Sequence, residues 1–492
     1  MIRFSPHTLT VLLALLLTHT ATAEEKYTRL PVPDDAVDGK PLFYGAYMTG
    51  AKIGWYTEKG EIKMRGGKEV ICLQSATHTE ARSFGKEVKS VETDESWFEV
   101  EPPHRFLGGR VKTEAGDLLR VMEVEKVKGG YKATITEAGK TTTRDWKLED
   151  FQLADVTSPT VWIRNKPKVG DQIRTRSISI EDLEITTDVL TITEIPKEGD
   201  KDGTYTIGLN NSKHGDVGTI SAKPDGTVSE FSIGGGAFLI KLEDEKSARR
   251  IEELDLDLFA DNIVKIEEKL GPTKKIESLV LKITGPSAHK VPSGPNQRAK
   301  YDEKSETLTL SIGREHGIDS PAEGKELEEA LEDTVAYPAN DPDVIKLAKR
   351  AVKKAGSDKT EQVAELVKFV DRFIKDEMTA DPLTVADIME KKSGDCTEHA
   401  LLFVTLARAL GIPAREVSGI YYADELGGFG GHAWAEVALD GKWVPVDPAW
   451  SQPWTDAAHI RMYTHGVSDY SQQVVQLSGK LKIEIVSIKR KR

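Results

Sequence analysis

Apolar and polar residues alternate along most of the chain up to about residue 271. Beyond Asp341 the apolar residues recur instead every three or four positions. A period of two predicts strands with one buried face, and a period near 3.6 predicts amphipathic helices. In the first region "LFYGAYMTGAKIGWYTEK" reads as two strands joined at Thr49-Gly50, and "YKATITEA", "DVLTITEI" and "TYTIGLN" read as further strands. Asp202-Gly203 and Asp225-Gly226 supply turn signals between strands. The expectation is a large antiparallel assembly over residues 24–271, with a division into two subdomains near Lys166-Pro167 as one option. "SLVLKITGPS" and "ETLTLSIG" predict two more strands inside a connector over residues 272–323.

The helical region carries its own punctuation. Asp341 is an N-cap with Pro342 at the first helical position, and Val344, Leu347, Ala348 and Ala351 mark one face. Asp358 and Glu361 open the next helix, whose apolar face runs from Val363 to Ile374. A short helix follows Thr384. The sequence then reads "KKSGDCTEHALLFVTLARALGIPAR", with Asp395 as N-cap, Glu398 at the third helical position and Cys396 as the first helical residue. Gly411 ends that helix and Pro413 blocks its restart. The predicted class is α+β: an N-terminal antiparallel β-rich region, then a catalytic domain over residues 324–470, then a C-terminal strand and basic tail over 471–492.

Cys396 is one of only two cysteines. At the positive end of a helix its thiol is expected to be acidified, while Asp395 and Glu398 oppose that effect, so the thiol needs a basic partner. "HAWAEVALDGKWVPVDPAW" supplies one. Asp440-Gly441 is a two-residue hairpin signal, which places Leu439 opposite Lys442 and Trp434 opposite Asp447. His432 and Asp447 then become diagonal neighbours on one face, about 7–8 Å apart between backbones. Glu436, the rival acid, lies roughly 13 Å along the strand from His432. The pattern is that of a cysteine triad: Cys396 as nucleophile, His432 as base and Asp447 as the acid that orients it. A zinc site built from Cys396, His399 and His432 is the chemical alternative, with no second cysteine pair to support it. No cofactor or metal is expected. The glycine-rich "YYADELGGFGG" before His432 reads either as a mobile lid or as an ordinary hairpin connection. Trp443 reads as core, and Trp434, Trp450 and Trp454 as core or groove.

"GDCTEHALLFVTLARALGIPAR", then "HAWAEV", then "WVPVDP" resembles the bacterial transglutaminase-like superfamily, which is related in fold to papain. The resemblance spans Tyr337 to Trp450. It implies a papain-like α+β domain and the same three roles for Cys396, His432 and Asp447. Gly-Asp-Cys-Thr here departs from the Gly-Gln-Cys-Trp of animal transglutaminases, and no calcium loop is visible, which argues against calcium-dependent cross-linking. The β-rich region resembles, in general pattern, the half-barrel carriers of lipoprotein acyl chains. An association with the cell envelope through that region is therefore a further expectation.

Charge and the N-terminus place the protein. Arg3, the apolar run Leu9–Leu17 and Ala21-Thr22-Ala23 read as a secretory signal peptide over residues 1–23, so the mature chain is expected to be exported, periplasmic or secreted. A net charge of −13 without a basic stripe argues against nucleic acid as a partner. The expected substrates are protein, peptide or cell-wall amides, cleaved or transferred through a thioester, with hydrolysis favoured over transfer to an amine. A catalytically silent binding or assembly protein of the envelope, on the same fold, is the alternative.

Overall fold

The structure is a computed structural model. It describes residues 27–491 apart from 49, 84–85, 117, 201–202, 213–214, 234–235, 237, 252–262, 286–287, 378–382 and 465–480. The signal-peptide reading of residues 1–23 lies outside the described residues. The chain divides into two compact units, the second running from residue 257 to 492.

Fourteen strands, from β1 (Leu42–Met48) to β14 (Phe238–Glu243), make one sheet in the first unit. Pairing runs outward from β1 strand by strand to β8 (Lys140–Trp146), and inward from β9 (Gln172–Ser179) to β14, which closes on β1. Within each run, strands consecutive in sequence pair with one another, as expected for strands joined by short turns, and β1 and β14, distant in sequence, also pair antiparallel. The proposed division near Lys166 falls just after helix α1 (Leu153–Arg164), at the crossover between the two runs of this single sheet. Asp155 on α1 is fully buried and held by Arg29 at 2.9 Å and by Arg176 at 2.8 Å. A short helix α2 (Glu245–Arg249) follows β14.

The second unit contains two sheets and a helical layer. The residues expected as a connector form β16 (Ile276–Thr284), β17 (Gln297–Asp302) and β18 (Thr307–Ile312). These pair with the C-terminal strand β25 (Lys482–Arg490) in the order β17-β18-β16-β25. At the basic end of the chain the exposed Lys489 pairs with Glu277 at 3.3 Å and Glu315 at 3.2 Å. Because Leu279, Leu281 and Leu310 share a core with Ile420, Phe429 and Ile460, this sheet packs as part of the same unit as the central sheet.

The central sheet holds β15 (Val264–Lys265), β21 (Ala414–Ala423), β22 (Gly428–Leu439), β23 (Lys442–Val446) and β24 (His459–Tyr463). Helices α3 (Gly324–Glu329), α4 (Pro342–Ala351), α5 (Lys359–Phe373), α6 (Val385–Lys391) and α7 (Cys396–Ala409) precede β21. The two-residue strands β19 (Lys375–Asp376) and β20 (Ser393–Gly394) pair in parallel beside the start of α7. The capping chemistry holds: Asp341 accepts from Asp343 and Val344, and Asp358 accepts from Thr360 and Glu361. Val344, Val363, Leu366 and Val370 from these helices pack with Phe403 and Leu406 of α7 against Ala435 and Val437 of β22. That leaves the other face of β22, bearing His432, Trp434 and Glu436, for polar chemistry. Among the described residues, no helix is long and apolar enough to cross a membrane.

Candidate active site

The candidate nucleophile, Cys396, is positioned by a closed cap. Asp395 accepts from the Thr397 N–H at 2.9 Å, and Glu398 reaches back to accept from the Asp395 N–H at 2.8 Å. Gly394 is required here, since a Cβ would lie 2.4 Å from the Glu398 side chain. At the other end Gly411 has φ +67° and the Ile412 N–H returns to the Ala407 carbonyl at 2.9 Å, so α7 is fixed at both termini. Cys396 begins the helix, where the first backbone N–H groups have no partner within the helix.

A break in the edge of the central sheet lets this helix end meet β22. On one side of β22, Phe429 and Gly428 pair with β15, and Ala435 to Leu439 pair with β23. Between these two partners, residues 430–434 have no neighbouring strand on that side among the described residues. There the Ala433 N–H donates to the Cys396 sulfur, one residue from His432.

The hairpin register is the one the turn demands, with Leu439 opposite Lys442 and Ala435 opposite Val446. His432 Nε2 lies 3.1 Å from Asp447 Oδ2. Asp447 is fully buried, and its other oxygen accepts from the Ala449 N–H at 2.8 Å. Nε2 is thus committed to Asp447, which leaves Nδ1 as the ring's other donor or acceptor. Trp450 stacks on the imidazole, rings 4.0 Å apart and 15° from parallel. Gly419, directly across from His432, cannot carry a Cβ, which would lie 2.0 Å from the Ile460 carbonyl oxygen and 2.7 Å from Trp434.

A fourth residue, absent from the sequence reading, completes the site. His459 Nε2 lies 3.1 Å from the same Asp447 oxygen, and its Nδ1 lies 3.0 Å from Asp456. Asp456 is itself fixed by the Ala458 N–H at 3.0 Å and the Gln452 amide at 3.2 Å. The signal was present in "AAHIRMY", where polar His459 and Arg461 alternate with apolar Ile460 and Met462. Nothing in that stretch shows which strand it pairs with, so its nearness to Asp447 was not legible.

The electrostatics correct the expectation of an acidified thiol. Burial pushes the Cys396 thiol well up, Asp395 adds to this, and the Ala433 N–H only partly opposes it. Burial also holds His432 below its ordinary value, against the pull of Asp447. Burial alone would raise Asp447, but His432 and His459 outweigh it and keep its carboxyl far below the usual range. Both shifts favour the neutral forms, a thiol at Cys396 and an unprotonated imidazole at His432.

The remaining candidates fall away from the chemistry. Glu436 is buried and occupied by Arg415 at 2.7 Å and Arg461 at 3.0 Å. His399 is buried and donates Nδ1–H to the Asp395 carbonyl at 2.7 Å, a packed histidine on α7. Trp434 and Trp443 are buried, and Arg415 lies over the Trp443 ring. The glycine-rich segment is a hairpin in which Gly428 already pairs with Ala423, so only residues 424–427 connect the strands. Cys72 is a free, buried thiol on a strand of the first unit, and burial pushes it up to about 11.

Among the described residues, His432, Asp447 and His459 are one group whose ligand-type atoms lie within 4.8 Å of one another. Those atoms are already joined by hydrogen bonds, and both ring nitrogens of His459 face carboxylates. The donor set fits a proton-holding chain better than a metal centre, which would need the His459 Nε2 lone pair free.

Residues 345–448 match the model of the transglutaminase-like superfamily. Among solved structures, the chain is similar to a candidate cysteine protease from Cytophaga hutchinsonii at 13% identity, covering 44% of this chain and 86% of that one, with a TM-score of 0.27. It is also similar to a β-barrel-like protein of a domain of unknown function from Brucella abortus, at 11% identity over 41% of this chain and 94% of that one, TM-score 0.29. A structure described as a TGase is similar at 18% identity, over 31% of this chain and 43% of that one, TM-score 0.17. No curated protein matches.

Proposed function

On the premise that the chain carries a transglutaminase-like domain over residues 345–448, we propose that it is an exported cysteine enzyme that opens amide bonds through a thioester on Cys396. The observation that carries this reading is the 3.1 Å bond from His432 to buried Asp447, beside a thiol at a helix N-terminus. His432 takes the Cys396 proton as the sulfur attacks the carbonyl carbon. The Cys396 backbone N–H, at the start of α7, donates to the oxyanion. When the C–N bond breaks, His432 gives its proton to the leaving amine and the acyl group stays on sulfur. His432 then deprotonates a water, which attacks the thioester, breaks the C–S bond and restores the thiol.

Water is the favoured acceptor. The Gly-Asp-Cys-Thr setting departs from that of the cross-linking enzymes, and an exported protein meets water in excess. The substrates on this reading are protein, peptide or cell-wall amides.

The test uses an activated ester to form the acyl-enzyme, followed by a lysine analogue. Hydrolysis that is nearly indifferent to the amine supports a hydrolase. Release that tracks amine down to low millimolar levels makes the protein an acyltransferase, and turnover that survives Cys396→Ala removes the thioester altogether. Export is tested by the intact mass of protein recovered from the cell envelope, which should lack residues 1–23.

A further inference from the structure

Both ring nitrogens of His459 meet carboxylate oxygens, Asp447 Oδ2 at 3.1 Å and Asp456 Oδ1 at 3.0 Å. Both carboxylates also accept N–H donors from Ala449, Ala458 and Gln452. An ionised carboxylate can only accept, so each His459 nitrogen must carry a hydrogen, and a ring with two N–H groups is charged. We infer that His459 is a positioning residue held as an imidazolium between Asp447 and Asp456, which fixes the Asp447 carboxylate and keeps His432 neutral until it takes the thiol proton. This rests on the proposed roles of Cys396, His432 and Asp447.

The surroundings of His459 support a held charge. From the loop after β23 it meets Asp447 and Trp450, and from the loop before β24 it meets Asp456. From β22 it meets His432 and Trp434, and from β21 it meets Tyr421, whose hydroxyl is engaged by Thr273 at 2.6 Å. Arg461, the next residue on the same face of β24, is committed to Glu436. The two aspartates are thus the anions that face the ring. Burial pulls His459 down, but its bonds to Asp447 and Asp456 outweigh that and raise it to about 9.

The consequence lies in how Asp447 divides its field. Oδ2 is shared by two imidazoles, so it stabilises a second proton on His432 less than an undivided carboxylate would. The rings of His432 and His459 are 5.7 Å apart, so the fixed charge also repels an imidazolium at His432. Without it, His432 should bind its proton more tightly by about 1–2 pH units at an effective dielectric near 20.

The experiment follows the ring signals of histidine-labelled full-length protein by NMR against pH, for wild type and His459→Gln, alongside the pH profile of kcat/KM. His459 should show two N–H groups and hold its proton to about pH 9. In His459→Gln the His432 titration, and with it the acid limb of kcat/KM, should move up by about 1–2 pH units. A purely structural role would lower the yield of folded protein and leave both where they were. A wild-type His459 that titrates in the ordinary histidine range, or that binds stoichiometric zinc, overturns the assignment. So does an unmoved His432 in folded variant. The titrations need no turnover, so a wild-type protein without thiol-dependent activity would count against the proposed reaction and leave the charge on His459 to be judged by its own signals.

Discussion

Two buried carboxylates sit on the same face of the central sheet, and each is held by two side chains that carry or can carry positive charge. Glu436 lies between Arg415 and Arg461. Asp447 lies between His432 and His459. Both acids are fully enclosed, so in each case the partners are what make burial of the charge tolerable. The difference is in the partners. A guanidinium does not release its proton at any pH the protein meets, whereas an imidazole does so near neutrality. The Glu436 group is therefore a fixed charge arrangement that ties β21, β22 and β24 together. With His459 charged as inferred, the Asp447 group, together with Asp456, carries one excess negative charge while His432 is neutral and none when His432 is protonated. Similar geometry gives a brace in one place and a proton-accepting centre in the other.

Exchanging each acid for its amide should separate the two most sharply. Asp447→Asn should lower kcat/KM by about 10⁴, because the amide favours the wrong tautomer of His432 and no longer stabilises its imidazolium. Steady-state kinetics on folded variant checks this, and a loss of less than tenfold would remove Asp447 from the mechanism. Glu436→Gln should act on the other axis. It leaves two arginines beside a neutral group and should cost about 3–5 kcal/mol in denaturant unfolding, with turnover per folded molecule nearly unchanged. If Glu436→Gln instead abolished turnover in stable protein, the contrast between the groups would fail.

A pH series sharpens the comparison further. His459 is raised in the folded protein, so its contribution to stability is fully present below the ordinary histidine value and is lost as pH rises through about 9. Asp447 and Asp456 are lowered, so theirs is present above the ordinary aspartate value and lost on acidification. Melting temperature should therefore fall on the alkaline side of neutrality, in a step that His459→Gln lacks. The Glu436 group should add no alkaline step, since its arginines stay charged. The smallest effect concerns the thiols. Alkylation of Cys396 by iodoacetamide should accelerate as pH rises from ~7 to ~9, as thiolate is formed, and Cys72 should lag throughout in folded protein. A Cys396 rate that is flat over that range would mean a resting thiolate, and the neutral-pair reading would be wrong.

The contrast also shows where the sequence is readable. Asp440-Gly441 determines the β22–β23 register, and the register alone separates Asp447 from Glu436, so that choice needed only a two-residue turn and a strand rise. The cap at Asp395 and Glu398 was legible for the same reason: it is local. His459 was not, because it enters from β24, which pairs with β21 and not with its neighbour in sequence. The sign of the Cys396 shift was missed because a helix terminus is visible in sequence while burial among Asp395, Glu398 and Asp447 is not. The glycine-rich stretch was read as lid or connection because glycine has low strand propensity. Three of its four glycines, Gly428, Gly430 and Gly431, lie inside β22, where Gly428 sits so close to β15 that a Cβ would be 2.3 Å from the Val264 carbonyl oxygen.

In the proposed mechanism His432, oriented by Asp447, activates Cys396 for acyl transfer. The most direct measurement is mass spectrometry of wild-type protein quenched with acid during turnover of an activated ester, with each cysteine peptide resolved. Wild-type protein should carry one acyl group on the peptide containing Cys396 and none on that containing Cys72, with a sharply slower build-up in Asp447→Asn. An acyl group found elsewhere, or a Cys396 adduct that forms as fast in Asp447→Asn as in wild type, would contradict it.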